Sequence, residues 1–398
     1  MPIAPANGAA VRCWAAQGLA SAAGLALLLL ALHADAAWFD RHFLPVFFVP
    51  YRTYRLGETL ARGAIALTGL GVLVWAGPAL GRWASRTAPL AMAADLGRIV
   101  LALVLALGLA EVGLRVAFPR SNEAPQPGVE PLRRADARLG WTFVPARVGR
   151  QTLRGREVDY AFDSNGFRVA GLDRPVDFAR PSILFSGESI VTGAGLSWDQ
   201  TFAAKAAEAL GLQTANLSVY AYSDDQAWLR LADLLPRFQA PRAVVILFSP
   251  GLMFRDLDDE RPHLGPALDW RPAQHGLRFA ALLRLFVPYQ SEGAIEGAER
   301  RVRAELAAAV RQARARGAQS LILVPRFGPE DPRDAAIDAK ILTGLPYLKV
   351  ELDPAWRQPR DPHPDARGAA ALAQAVTKSL AGRLEPSADA APDPSPPN

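Results

Sequence analysis

Three side chains in two short segments have the types needed for nucleophilic chemistry. Ser189 stands in Phe185-Ser186-Gly187-Glu188-Ser189, directly after the apolar run Ile183-Leu184-Phe185. Asp361 and His363 stand in Asp361-Pro362-His363-Pro364, just ahead of a stretch that reads as the last helix. A serine hydroxyl is a poor nucleophile until a base takes its proton. His363 is the candidate base, and Asp361 the acid that would hold its imidazole in the useful tautomer. Gly187 would permit a tight strand-to-loop turn that exposes the hydroxyl. Neither segment is specific by itself, since Gly-x-Ser, Asp and Pro are all ordinary in loops. Their joint placement, after the first strand and before the last helix of an α/β pattern, points to acyl transfer.

The elements that must position these residues alternate. Strands are expected at 183–185, 214–217, 243–248, 320–324 and 347–350, and helices at 201–210, 224–238, 292–316 and 366–380. That alternation predicts a parallel sheet covered on both faces. A small β-leaning region opens at Leu139-Gly140-Trp141, runs through Val158 to Phe162 and turns at Asp163-Ser164-Asn165-Gly166. Residues 251–290 read as a long insertion over the carboxyl edge of the sheet, where ligand sites of open α/β sheets lie. Within it Asp256, Asp258, Asp259 and Glu260 read as a solvated charged loop, with no calcium-loop spacing. The folded domain is set at 139–384. A linker at 121–138 precedes it, in a stretch rich in Pro, Glu, Asn and Gly, and a disordered tail of Pro, Ala, Ser and Asp follows at 385–398.

The first 120 residues are far more apolar than the rest. Three stretches there approach the roughly 20 apolar residues that cross a bilayer: about 14–32, 63–80 and 99–118. Ala34-Asp35-Ala36 resembles a signal cleavage site, but two further spans follow, so three retained helices are the preferred reading. The short second loop carries Arg82, Arg86 and Arg98 against Asp95 alone, which favours a cytoplasmic position for it and an external C-terminal domain. Glu111 and Arg115, four residues apart in the third span, read as an interfacial ion pair. The formal charge of +5 is scattered, with no basic stripe and interleaved aromatics, so nucleic acid is not an expected partner. The single Cys13 excludes an intrachain disulfide and a cysteine metal cluster.

Several segments together resemble the SGNH, or GDSL-type, hydrolase superfamily, in its membrane-anchored bacterial branch. Gly187-Glu188-Ser189-Ile190 stands where that family has its Gly-Asp-Ser block. Val191-Thr192-Gly193-Ala194-Gly195-Leu196 and Gln200-Thr201-Phe202 continue the pattern. Leu139-Gly140-Trp141, Asn165-Gly166-Phe167-Arg168 and Glu111-x-x-x-Arg115 are similar to signposts of the branch. The run from Asn216 to Gln226 is similar to the second block, and Asp361-x-His363-Pro364 followed by Gly368 to the last. The resemblance implies a three-layer, flavodoxin-like α/β domain with a parallel five-stranded sheet, preceded by three transmembrane helices. It also implies Ser189 as nucleophile, His363 as base, Asp361 as its orienter, and the backbone N–H groups of Ser189, Ala221 and Gly251 as the oxyanion hole.

Two departures stand out. The second-block glycine falls on Ala221, which is tolerable because the donor is main chain. The third-block asparagine is missing, because the position after the strand reads Ser249-Pro250-Gly251-Leu252. Losing one such donor typically costs about 100 to 1000-fold in rate, unless Ser249 or a group of the insertion replaces it. The expected protein is therefore a serine esterase or O-acyltransferase with no cofactor or metal. It would sit in a bacterial inner membrane with its C-terminal domain in the periplasm, acting on an ester, O-acetyl included, of an envelope glycan or lipid. The alternative is a catalytically weak SGNH-fold protein that binds glycan and partners a polysaccharide-assembly membrane protein.

Overall fold

The computed structural model describes residues 8–47, 49–117, 125, 131–153 and 156–384. Most of the expected linker (121–124 and 126–130) and the whole expected tail (385–398) lie outside them. The chain divides into two compact units. One comprises Met1–Leu44, Val49–Pro119 and Gly276–Glu292; the other comprises Pro45–Phe48, Arg120–His275 and Gly293–Asn398.

Among the described residues the first unit holds three helices long and apolar enough to cross a membrane: Gly8–His33, Tyr51–Arg86 and Pro89–Ala117. Each begins before the apolar window read from the sequence. A helix of 36 residues spans about 54 Å, so the ends of Tyr51–Arg86 exceed a hydrocarbon core of about 30 Å. Arg55 near one end is held by Asp40 Oδ2 at 2.9 Å and Glu58 Oε2 at 2.7 Å. The first two helices cross at glycines. A Cβ on Gly24 would stand 2.8 Å from the Gly69 carbonyl oxygen, and a Cβ on Gly69 would stand 2.8 Å from that of Gly24. Further along, a Cβ on Gly81 would lie 3.2 Å from Cys13 Sγ. Oxidation of the Gly81→Cys variant is therefore expected to consume both thiols, and adding Gly69→Leu, which forces the backbones apart, is expected to restore thiol titre.

Residues 276–292 belong to this unit, so the stretch expected as one insertion at 251–290 divides between the two units. The segment is strongly apolar, with Leu277, Phe279, Leu282, Leu283, Leu285 and Phe286 among its residues. Its helix Arg278–Phe286 packs on Pro89–Ala117. Glu111 accepts the N–H groups of Arg278 at 3.0 Å and Phe279 at 2.9 Å, and Arg115 Nε donates to the same carboxylate at 2.7 Å. The expected ion pair thus also satisfies the free N–H groups at a helix start.

The second unit opens with a hairpin of β1 (Arg133–Asp136) and β2 (Gly140–Phe143). β3 (Arg147–Leu153), β4 (Arg156–Phe162) and β5 (Arg168–Val169) follow, then β6 (Ser182–Ser186), β7 (Gln213–Asn216) and β8 (Pro241–Leu247). β9 (His263–Leu264) and β10 (Trp270–Arg271) form a second small hairpin, and β11 (Gln319–Phe327) and β12 (Tyr347–Leu352) complete the set. All five expected strands are present, but the five-stranded parallel sheet is corrected. The sheet is mixed and has eight strands, in the order β12-β11-β8-β6-β7-β5-β4-β3. The run from β12 to β7 is parallel. The β-leaning region then joins antiparallel, with Arg168 paired to Asn216, and so covers a sheet edge that would otherwise expose unpaired backbone groups.

The core follows from the two-residue strand period. Ile183, Phe185, Val245 and Leu323 pack with the helices Phe202–Ala209 and Ala366–Leu384 on one face. Leu184, Val244 and Ile322, pointing to the other face, are buried as well. β6, β7 and β8 run parallel, so the loops after all three emerge at one edge.

Candidate functional site

Ser186 ends β6, and Gly187 turns the chain with φ +151°. A Cβ there would stand 2.7 Å from both Leu247 Cβ and Val191 Cγ2, so only glycine fits. Glu188 then caps the short helix Ser189–Thr192 by accepting the Ile190 N–H at 2.9 Å. Ser189 Oγ lies 2.7 Å from His363 Nε2, and His363 Nδ1 lies 2.5 Å from Asp361 Oδ1. The same oxygen accepts the His363 backbone N–H at 2.9 Å. Segments 174 residues apart therefore meet as hydroxyl, imidazole and carboxylate in series.

Two buried residues fix the loops that carry them. Gln358 Nε2 donates to Ala194 O at 2.6 Å and Pro364 O at 3.0 Å, tying the histidine loop to the turn after Ser189. Arg168, fully buried, donates to the carbonyls of Thr192, Gly193 and Leu196 at 2.5, 2.8 and 2.5 Å. That gives physical content to the Asn165-Gly166-Phe167-Arg168 segment.

Ala221 sits in the left-handed region, with φ +62°, a conformation costing a non-glycine residue about 1–2 kcal/mol. Its neighbours hold it there. Trp141 Nε1 donates to Tyr220 O at 2.9 Å and Arg133 Nη1 donates to the same oxygen at 3.2 Å. Arg261 Nη1 donates to Ala221 O, and Arg255 Nη1 to Tyr222 O at 3.4 Å. In a planar trans peptide the N–H opposes the carbonyl, so the Ala221 N–H is turned away from Trp141. Gly251, in the turn after β8, accepts the N–H of Phe47 at 3.0 Å. A Cβ on Gly251 would fall 2.4 Å from the Phe47 nitrogen. The Phe47 ring meets Phe327 edge-on at 5.8 Å, and the Arg357 guanidinium lies 4.0 Å above Phe327. Arg357 bridges to Pro364, beside His363.

Sequence reasoning missed Arg255. It sits in the apolar turn Pro250–Leu257 and is buried with Glu188, its Nη1 lying 3.4 Å from Glu188 Oε2. Glu188 Oε2 is also within hydrogen-bond reach of Ser189 Oγ. The Ser189 hydroxyl thus has a carboxylate as well as an imidazole beside it, and a cation stands behind the carboxylate. The available signal was a lone arginine in the apolar run Gly251-Leu252-Met253-Phe254.

The expected solvated acidic loop is corrected in part, because Asp256 is buried. Its Oδ1 accepts the Asp225 N–H at 3.3 Å, while Arg301 donates to Asp225 Oδ1 at 3.1 Å and to the Asp256 carbonyl at 2.5 Å. Buried Glu305 belongs to the same group. Burial, then the neighbouring carboxylates, push Asp256 and Glu305 well above the ordinary carboxylate range. In the unfolded chain these acids lose their protons near pH ~4, whereas the folded chain keeps them to higher pH. The folded state binds more protons across that window, so its stabilisation is complete at acid pH and is lost as pH rises through the raised values. The thermal midpoint of the detergent-solubilised protein is expected to fall between about pH 5 and about pH 8. Glu305→Gln should flatten that slope.

No protein-family model and no curated protein matches the sequence. Solved structures do. An acetyl xylan esterase from the rumen bacterium Butyrivibrio proteoclasticus aligns over 53% of this chain and 66% of its own, at 11% identity and a TM-score of 0.32. A G-D-S-L family lipolytic protein from Desulfitobacterium hafniense aligns over 50% of this chain and 99% of its own, at 11% identity and 0.33. The salicylyl-acyltransferase SsfX3 of a tetracycline biosynthetic pathway aligns over 53% and 57%, at 17% identity and 0.32. Esterases, one of the G-D-S-L family, and an acyltransferase are thus among the solved proteins to which this chain is similar.

Proposed function

We propose that this protein is a membrane-anchored serine esterase or O-acyltransferase of the SGNH type. Its substrate is an ester, O-acetyl included, of a cell-envelope glycan or lipid, met on the periplasmic side of a bacterial inner membrane. The observation that supports the reading is the series Ser189 Oγ–His363 Nε2 at 2.7 Å and His363 Nδ1–Asp361 Oδ1 at 2.5 Å.

In the mechanism, Ser189 Oγ attacks the ester carbonyl carbon as its proton passes to His363 Nε2. Asp361 holds the imidazole through Nδ1 and stabilises the imidazolium that forms. The carbonyl oxygen becomes an oxyanion and is received by the backbone N–H groups of Ser189, Ala221 and Gly251. Collapse breaks the bond to the leaving alcohol, which takes the proton from His363 and leaves an acyl-serine. Water, or a glycan hydroxyl in the transferase case, then attacks the acyl carbon while giving its proton to His363. His363 passes that proton to Ser189 Oγ as the bond between the acyl carbon and Ser189 Oγ breaks. No metal or redox partner enters these steps.

One observation favours the weaker, glycan-binding alternative. Ser189 has a single hydroxyl proton, and both Glu188 Oε2 and His363 Nε2 stand ready to accept it. A hydroxyl turned to Glu188 is not activated by the imidazole. Fluorophosphonate labelling of the full-length protein in detergent decides between the two readings. Labelling lost in Ser189→Ala supports the enzyme; a folded protein that never labels leaves the binding role.

A further inference from the structure

We infer that residues 277–289 lie in the lipid head-group layer as a fourth membrane contact, an interfacial helix separate from the three spans. The inference rests on the membrane reading of those spans. The helix Arg278–Phe286 is apolar nearly all round, and its charged residues are Arg278 and Arg284 alone. Arg278 is buried, which leaves Arg284 as the charge on its exposed surface. Leu283 is 52% exposed, Leu285 61% and Phe286 77%. A face of this kind is not left to water in a folded protein.

Its surroundings name the occupant. The segment belongs to the same compact unit as the three apolar helices, not to the unit that precedes and follows it in sequence. Its first turn is pinned to Pro89–Ala117 by Glu111. Its far end is pinned by Tyr289, whose ring stacks on His42 at 5.2 Å, while His42 stacks on Trp38 at 4.4 Å. Gln290 N–H donates to His42 O at 2.9 Å. Aromatic groups with polar tips gather where a bilayer meets water. At 9 residues the helix is about 13 Å long, far short of the about 30 Å needed to cross. It therefore lies along the surface with its apolar side sunk about 5–10 Å into the head-group boundary. Arg284 reaches up to lipid phosphate while its stem stays among apolar groups.

The test uses full-length protein carrying Cys13→Ser, reconstituted in vesicles of phosphatidylcholine and phosphatidylglycerol. Single cysteines at Leu282→Cys and Phe286→Cys carry an environment-sensitive nitrobenzoxadiazole label. Leu103→Cys in the third span and Leu172→Cys on the other unit serve as references. At 282 and 286 the emission is expected to shift to the blue, and lipid nitroxides near the head group should quench it more than nitroxides at the chain end. The 103 label should show the reverse preference, and the 172 label should respond only to aqueous iodide. If 282 and 286 behave like 172 while 103 is quenched, the interfacial helix is wrong and the spans stand. Blue-shifted labels that no lipid nitroxide reaches would mean that a protein surface, a second copy included, covers the helix, and would equally overturn the inference. If 103 itself escapes quenching, the membrane reading fails and the inference falls with it.

Discussion

Ser189→Ala is expected to lower kcat on a chromogenic acetate ester by about 10^6-fold, the scale seen when the nucleophile of a hydroxyl–imidazole–carboxylate set is removed. In the proposed mechanism Ser189 Oγ is the atom that bonds to the acyl carbon, and it lies 2.7 Å from His363 Nε2. His363→Ala should fall as far, and the double variant no further, because the two act as one unit. Asp361→Asn should cost about 10^4-fold, since an amide can donate to Nδ1 and stabilise the wrong tautomer. The alanine at 189 removes one oxygen from a site built by backbone, so the fold should survive, and an unchanged thermal midpoint would show this. Retention of even a tenth of the turnover by purified Ser189→Ala would remove the serine mechanism.

The second large effect is on stability. Arg255 and Glu188 are 6% and 5% exposed in their side chains and 3.4 Å apart. Removing one member of a buried pair strands the other charge, at a cost of about 3–5 kcal/mol. Arg255→Met, which keeps the length and loses the charge, is expected to destabilise the protein by that amount. Glu188→Gln in the same background should recover much of it, because the stranded charge is gone. A double-mutant cycle from denaturant titrations measures the coupling. Additive losses would show that Arg255 matters for packing and not for its charge. The carboxylate touches the Ser189 hydroxyl, so the same variants also report on the proposed catalysis. If Glu188 competes with His363 for the serine proton, Glu188→Gln should raise the rate of fluorophosphonate labelling.

Much of this site was legible because its parts are local. An apolar run ending in glycine gives β6 and its turn, and Asp-x-His puts an acid within reach of its own imidazole. Three other features were not legible, each for a physical reason. β5 to β3 join the sheet through one antiparallel pairing, Arg168 with Asn216, and residue patterning does not name a strand's non-local partner. Arg168, Arg255, Arg261 and Asp256 are of charged types that belong at a surface on composition alone, yet each is buried and hydrogen-bonded through at least one atom. Residues 276–292 lie between two stretches of one unit and fold with the other. Their exposed apolar residues were the clue, but a periodicity reading takes such residues for core. Ala221 is a different case. The missing glycine was visible, and the structure adds that four donors from outside the turn hold the backbone conformation that glycine would adopt freely.

If the apolar helices span a bilayer as proposed, the contact between Phe47 and Gly251 constrains how the chain can be threaded through it. Residues 45–47 precede the helices Tyr51–Arg86 and Pro89–Ala117, and the strands with which they pack come after both. An even number of crossings therefore separates them, and an even number returns the chain to the side it left. With one of the two helices crossing and the other not, Phe47 and Gly251 would face opposite compartments and their hydrogen bond could not form. On the proposed membrane reading the bond is thus a parity condition on insertion, broken when one of the second and third spans crosses without the other. It also sets an order of assembly. The segment around Phe47 is synthesised about 200 residues before its partner, so it must wait for the sheet to arrive.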